Sequence, residues 1–317
     1  MTDEFSLTPE APVLVIGAAC VDIVGILKGD MQTGTSNPAQ IRTSCGGVGR
    51  NVAENLARLG QDVNLLTVVG EDQNGDNLVE TIAEAGVNVE AIKRTSLHPT
   101  GTYLGVVNPN GELQVAVDDM RAMTLLSPDY LLQNKHLFQQ ASLLFVDANL
   151  PKESLRTAMS LAKAAHLPVC ADPTSRWLAV KLKPYLKRLR MVTPNSAEAA
   201  ILTGQTFTTF RRREALQAAK SLVSQGVDIV ILAMAAYGVC YATSETSGHI
   251  PAVHTETVDP TGAGDAMTAT VLFALLNDIP IDDAVQLGVT AASLTLKHRG
   301  TVVPNLSLER LYNELVI

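Results

Sequence analysis

Apolar residues along this chain fall into short unbroken runs separated by stretches of helical period, and that alternation sets the expected architecture. Residues 13–17 form a continuous apolar run of strand length, the pattern of a strand covered on both faces of a parallel sheet. A polar stretch, 29–44, follows. It contains Ser36-Asn37-Pro38 and an alternation around Ile41 and Thr43, and it reads as an excursion away from the main sheet. Val48, Val52, Leu56 and Leu59 then share one helical stripe that Gly60 closes. The pattern next predicts a strand at 63–69, a helix at 73–85 ended by Gly86, and a strand at 89–93.

Residues 102–107 and 113–117 flank Asn108-Pro109-Asn110-Gly111, an Asn-Gly turn signal with no helix between the two runs. This predicts a β-hairpin. Joined to the excursion, the hairpin predicts a small, mostly antiparallel sheet, with bounds near 22–44 and 100–119, inserted as a lid. From 127 onward helices at 128–139 and 152–165 alternate with strands at 143–147, 168–172, 191–193 and 229–234, and two helical stretches lie between 193 and 224. Runs at 237–242 and 249–253 form a second antiparallel pair. Helices at 263–276 and 281–297 and an amphipathic helix at 306–317 end the chain. The expected fold is α/β: one domain over 1–317, with a doubly wound, mostly parallel sheet flanked by helices and a small β-sheet lid.

Composition narrows the partners. Apolar residues make up 46% and charged residues 18% of 317, which is globular in character. A net charge of −8 argues against a nucleic-acid polymer as partner, since such surfaces need a basic face. The run Arg211-Arg212-Arg213 opens an amphipathic helix and reads as solvated. Cys20, Cys45, Cys170 and Cys240 show neither CxxC spacing nor His-rich neighbours. They suit free thiols in a reducing cytoplasm better than a disulfide frame or a zinc site. No apolar run reaches the roughly 18 residues of a membrane span. The acidic, polar residues 1–10 do not read as a signal peptide. The expected location is cytoplasmic, with no membrane partner.

The strongest chemical signal is Val258-Asp259-Pro260-Thr261-Gly262-Ala263-Gly264-Asp265-Ala266-Met267, a glycine-rich turn running into an apolar helix. Glycines let backbone approach a ligand. The helix start offers unpaired N–H groups and the positive end of its dipole, a combination that favours phosphate. Asp265, at the rim, could accept a proton from a hydroxyl attacking phosphorus, and the helix start is expected to hold its pKa low. Met267 stands where a dinucleotide fingerprint needs its third glycine, so that motif is excluded. A capping loop without ligand remains the alternative for this segment alone.

Other segments add to it. Asp22 follows the first strand among apolar neighbours and is either a ligand-holding acid or a turn aspartate. Cys45-Gly46-Gly47-Val48-Gly49-Arg50-Asn51 is a second glycine turn opening a helix; Asn51, one turn in, could serve a polyol or simply lie at the surface. Asp118-Asp119-Met120 closes the lid unit, as a ligand contact or a strand end. Asp147, Asn149 and Asp172 fall at C-terminal strand ends, where open parallel sheets bind ligands. Asn195 and Glu198 fit a capping box, and Glu198 could also orient water or Mg2+ near phosphates.

Gly46-Gly47-Val48-Gly49-Arg50-Asn51 and Thr261-Gly262-Ala263-Gly264-Asp265 together resemble the two signatures of the ribokinase-like (PfkB) carbohydrate and nucleoside kinases, over essentially the full length. The resemblance implies ATP and Mg2+ as cofactors and a small-molecule sugar or nucleoside as substrate. It makes Asp265 the base, Gly262, Ala263 and Gly264 the anion hole, and Asn195 and Glu198 the Mg2+ and phosphate motif. Asp22, Gly46, Gly47 and Asn51 fall to the sugar, and Asn37, Asp119 and Asn149 are weaker candidates for the sugar or base. Within the family, Ser36-Asn37-Pro38, the first signature, Asp119-Met120 and Gly262 to Met267 are most similar to the pseudouridine kinase subgroup. Ribose, fructose or adenosine kinases and a non-catalytic relative are the alternatives. Asp259 is a position for a monovalent cation, K+, through the resemblance alone, and lid-to-lid homodimers are a family habit. One departure stands out. Ala235 replaces a family glycine in Met234-Ala235-Ala236-Tyr237-Gly238, so nucleotide binding is expected to be weakened or adjusted but retained, with Gly238 intact.

Overall fold

The computed structural model describes residues 11–207 and 211–315. The polar segment 1–10 and the last two residues of the expected terminal helix lie outside it. Thirteen strands form two sheets among the described residues. The larger has the order β13 (Ser247–Ile250), β12 (Val239–Ala242), β11 (Ile229–Ala233), β10 (Met191–Val192), β9 (Val169–Asp172), β8 (Leu143–Asp147), β1 (Val13–Ile16), β4 (Val63–Gly70), β5 (Ile92–Thr95). The pairs from β11 through β5 are parallel; β12 and β13 add antiparallel. Neighbours change direction about β1, which is paired to β8 on one side and β4 on the other. This is the doubly wound α/β arrangement the alternation predicts.

Burial on both faces explains the unbroken apolar runs. Leu14 and Ile16 of β1 point into one core layer and Val13 and Val15 into the other. Helices α1 (Val48–Arg58), α8 (Ala263–Leu276) and α9 (Ile281–Leu296) cover the second layer. The first is covered by α3 (Pro128–Gln133), α4 (Lys135–Gln140), α5 (Lys152–Ala164), α6 (Ser196–Thr203) and α7 (Arg212–Ser224). Helix α2 (Gln73–Glu84) carries the lid's foot, and α10 (Leu308–Glu314) closes the chain.

The smaller sheet has the order β3 (Ala39–Gly46), β2 (Cys20–Leu27), β6 (Gly101–Val107), β7 (Leu113–Asp119). Its two outer pairs are antiparallel and the central β2–β6 pair is parallel, because β4 and α2 of the main body intervene between them in the chain. The Asn-Gly turn forms as expected, with Gly111 at φ 83°.

Differences from the sequence pattern are local. Asp22 lies inside strand β2, not in a turn. The strand expected at 89–93 starts later, at Ile92, because Ile92 N bonds to Val89 O in a turn first. The helix expected at 128–139 breaks at Asn134, whose Nδ2 donates to Tyr130 O. Residues Ala179–Arg188, unassigned from the pattern, form a 3-10 helix around Pro184. The second strand of the late antiparallel pair, expected at 249–253, forms earlier, as the half-buried edge strand Ser247–Ile250.

One buried carboxylate ties three elements. Gly47, ahead of α1, offers no side-chain cap. Asp147, at the end of β8 and fully buried, supplies it from across the sheet. Its Oδ2 accepts from Gly49 N (3.0 Å) and Ala18 N (2.7 Å), and its Oδ1 from Asn149 N (2.9 Å). Burial raises its pKa against the lowering effect of these amides. Asp147→Ala strands those donors, so urea unfolding of the variant should show a loss of about 2–4 kcal/mol; a loss below about 0.5 kcal/mol, the size of an ordinary surface change, would contradict the capping role.

Candidate active site

The two glycine turns meet at the C-terminal edge of the main sheet. Gly49 packs on Gly17, and a Cβ added to Gly49 would stand 2.6 Å from the Gly17 Cα. Gly47 takes φ 96°, and a Cβ there would run into the Ala18 carbonyl. At Gly46 the same space is filled by the Asp22 carboxylate. The first turn therefore holds Asp22, from the lid strand β2, against the main body.

Arg50, buried to 3% exposure, fastens this turn to the distant one. Its Nη1 donates to Cys45 O (3.3 Å), Asn51 Oδ1 (2.8 Å) and Thr301 Oγ1 (2.9 Å), and its charge pairs with Glu54 one turn on. Thr301 Oγ1 in turn donates to Cys45 O (2.7 Å), and its carbonyl fills the space a Cβ would need at Gly262. Gly262, at φ 81°, caps α8. The first bond of that helix runs from Ala266 N to Gly262 O, which leaves the amides of Ala263, Gly264 and Asp265 ahead of it.

Asn51 completes the link across 214 residues: its Nδ2 donates to Asp265 Oδ2 at 2.7 Å. Asp265 is half-buried as a residue, and its carboxyl is packed on most sides. Burial raises its pKa to about 7, Asn51 lowers it, and the nearby Asp147 and Asp22 raise it further. The expectation of a low pKa is thus corrected. Desolvation and like charge outweigh the helix dipole, which acts only within the first turn. Asp22 is buried and shifted to about 6, chiefly by desolvation, while the Cys20 thiol donates to its Oδ1 at 3.3 Å.

On the far side of Asp265 sit Glu198 and Asp172. The capping box is present: Asn195 Oδ1 accepts from Ala197 N (2.9 Å) and Glu198 N (3.0 Å), and Glu198 Oε2 accepts from Asn195 N (2.8 Å). Asp172 Oδ1 accepts from Thr174 N (2.6 Å) and its Oδ2 from Thr193 Oγ1 (3.0 Å). Burial raises both acids, and Asp172 is raised further by the charges of Glu198 and Asp265. Mutual repulsion of this kind suits a site where a cation settles on phosphate oxygens. Among the described residues no cluster of three or more His, Cys, Asp or Glu is placed to hold a metal by itself. Gly238, at φ 88°, could not carry a Cβ past Ile250 O, and Ala235 takes φ 50°, a left-handed conformation that costs a non-glycine residue about 1–2 kcal/mol.

A cleft of about 380 Å3 opens between the lid's inner face and residues 257–261. Val24, Arg42 and Tyr103 line it from the lid, and Asp259, whose Oδ1 accepts from Thr261 N at 2.9 Å, lines it from below. Three candidates are not gathered into the cluster around Asp265. Asn37 bonds within its own loop, to Gln32 and Thr35. Asp119 pairs with Thr102, on the lid face opposite Asp22, and is held by Arg121, which brings its pKa to about 2. Asn149 stays beside Asp147. Sequence reasoning missed Arg50, Thr301 and the capping by Asp147. A charged residue directly inside a glycine signature was the one available signal, for Arg50.

The pfkB family carbohydrate kinase pattern matches residues 11–307. The chain is 33% identical over 297 residues to the pseudouridine kinase of Escherichia coli (strain K12), covering 93% of this chain and 94% of that one. Among solved structures, a carbohydrate kinase from Agrobacterium tumefaciens superposes with TM-score 0.80 at 28% identity, over 96% and 97% of the two chains. Ribokinase from Giardia lamblia shares the fold, at TM-score 0.83 and 20% identity over 96% and 98%.

If Asp265 is the proton acceptor, Asp265→Asn should bind substrate normally and lower kcat by at least about a hundredfold. The wild-type kcat should fall as pH drops through about 7, where Asp265 takes up its proton. Stability carries the opposite sign. A folded pKa raised above the unfolded one favours the native state at low pH and penalises it as pH rises from about 4 to 7. The variant should therefore melt higher than wild type at pH 8, with the gain shrinking as pH falls. Near-normal turnover in Asp265→Asn would remove the assignment.

Proposed function

The chain belongs to the pfkB family of carbohydrate kinases, and from that premise we propose that it transfers the γ-phosphoryl group of ATP to the 5′-hydroxyl of pseudouridine. As in its family, the acceptor is an alcohol of a sugar or nucleoside. The observation that carries the mechanism is the Asn51–Asp265 hydrogen bond, which sets a raised-pKa carboxylate at the N-terminus of α8.

The proposed step is mostly positioning. Asp22 and the Gly46–Gly47 backbone hold the ribose, with Asn51 orienting Asp265 toward the hydroxyl. Asp265 accepts the hydroxyl proton as the oxygen attacks in line. Amides at Gly262, Ala263 and Gly264 face the charge that spreads over the transferred group. Losing one such donor costs on the order of 3 kcal/mol in barrier. Asn195, Glu198 and Gly238 serve the nucleotide phosphates, and Glu198 and Asp172 would hold Mg2+, which would supply charge neutralisation to those phosphates. Closure of the small sheet over the cleft keeps water from taking the phosphoryl group. Asp259 is the place for a K+ ion in this reading, and a cytoplasmic setting fits four free thiols.

Substrate choice is carried by the likeness to pseudouridine kinase and by a cleft whose lid wall offers Arg42 and Tyr103 as donors. A coupled ADP-release assay over pseudouridine, uridine, adenosine, fructose and ribose, run in potassium and in choline salts, should show pseudouridine preferred and faster in potassium. A clear preference for ribose would defeat the choice of substrate. Nucleoside binding without transfer to any acceptor would support the second reading, a ligand-binding relative, whose motive is the left-handed Ala235.

We further propose a homodimer through the lid. On the face turned away from Asp22, Ile41, Leu104, Val115 and Val117 are between 41% and 64% exposed, in one aliphatic patch across three strands. Such a patch is the usual mark of an interface. Sedimentation should give twice the chain mass for wild type and a single mass for Val117→Lys; a monomeric wild type at micromolar concentration would end the proposal.

A further inference from the structure

A second concavity, a groove of about 780 Å3, lies on the outer flank of α6, away from the side that carries Glu198. Its volume is in the range of small-molecule sites. Arg176, Trp177 and Lys183 stand on one wall, and Ala197, Ala200 and Ile201 of α6 form the other. The α6 residues that turn inward, Glu198, Ala199 and Leu202, are buried and belong to the core and the reacting cleft. The groove is therefore separated from that cleft by the thickness of one helix.

Three features of the groove point to a ligand. Trp177 is the only tryptophan of the chain and is 87% exposed, so its large ring does almost nothing for the fold. Among the described residues neither Arg176 nor Lys183 has an ion-pair or hydrogen-bond partner. Among the described residues no carboxylate lines the groove, although the chain carries a net charge of −8. Two unpaired cations beside a bare indole are thus gathered on the one side of α6 from which acids are absent.

We propose that this groove binds a mononucleotide. The base stacks on Trp177, a contact that tolerates different bases because every base presents a π-face. The phosphate monoester, with close to two negative charges at neutral pH, pairs with Arg176 and Lys183. The absence of a carboxylate disfavours a metal-chelated triphosphate, which needs acids or water-bearing oxygens for its cation. A ring and a single phosphate match the aromatic wall and the two cations together; either part alone satisfies only one.

The sole tryptophan reports its own occupancy. Its fluorescence, excited at the red edge where nucleotides do not absorb, should be quenched saturably by UMP or AMP, and the stronger of the two identifies the ring class. The quenching should persist when the reacting cleft is filled with a non-hydrolysable ATP analogue and Mg2+. Ribose 5-phosphate and inorganic phosphate, which lack a ring, should quench little. Lys183→Glu, at an exposed position, should weaken nucleotide binding about tenfold while leaving kcat and melting temperature at wild-type values. The proposal is overturned if neither nucleotide quenches, if the ATP analogue abolishes the effect, if the ringless phosphates quench equally, or if Lys183→Glu binds as wild type does. None of these outcomes bears on the reaction assigned to Asp265, which is measured by turnover.

Discussion

A carboxylate that is largely removed from water is the constraint on which the rest of the structure depends. Asp265 stands at the helix end whose unpaired amides could serve a carboxylate, yet its hydrogen bond comes from outside its own helix. Asn51 of α1 supplies its hydrogen bond. That single contact requires α1 and α8 to lie side by side, and they do so in the core layer formed by Val52, Leu56, Ala266 and Met267. Arg50 and Thr301 lock the same pairing from below, through Cys45 and Gly262. The glycines are needed here because backbone, not side chain, fills the space between these elements.

The concentration of acids has a thermodynamic meaning. Asp22, Asp147, Asp172, Glu198 and Asp265 all have pKa values raised by burial, and several raise one another. A fold does not gain from such an arrangement: each desolvated carboxylate opposes folding near neutral pH. Asp147 offsets its burial with three backbone amides and so reads as structural. Asp265 has one amide donor and a raised pKa, the condition of a group that exchanges a proton near neutrality. The positive N-terminus of α8 lies among these charges.

The two faces of the small sheet differ in character. Alternation along β2, β6 and β7 sends Asp22 and Tyr103 to one face, and Ile23, Leu104 and Val117 to the other. The root of that opposite face is anchored, with Val21 packed on Val69 and Leu78 beside α2, while its tip is left aliphatic and open. A one-residue shift in register would exchange the two faces and carry Asp22 out of the site.

The sequence by itself determined the order of elements, because period-2 and period-3.6 patterns and glycine stops are local properties. Runs such as Val13–Ile16 or the stripe of α1 cannot be satisfied in another way. It also determined that two glycine turns would open helices and that Asp265 would sit at one of them. Tertiary structure alone decided which groups share a dielectric and a hydrogen bond. The cap on α1 comes from Asp147, 98 residues away, and the partner of Asp265 from 214 residues away. The pKa of Asp265 was misjudged from sequence for the same reason: a helix start is visible in the residues beside it, whereas desolvation depends on every chain segment that closes around the carboxyl. Likewise Asp119 and Asn37 carry the right chemistry in the right neighbourhood, but strand alternation and a local turn direct them elsewhere.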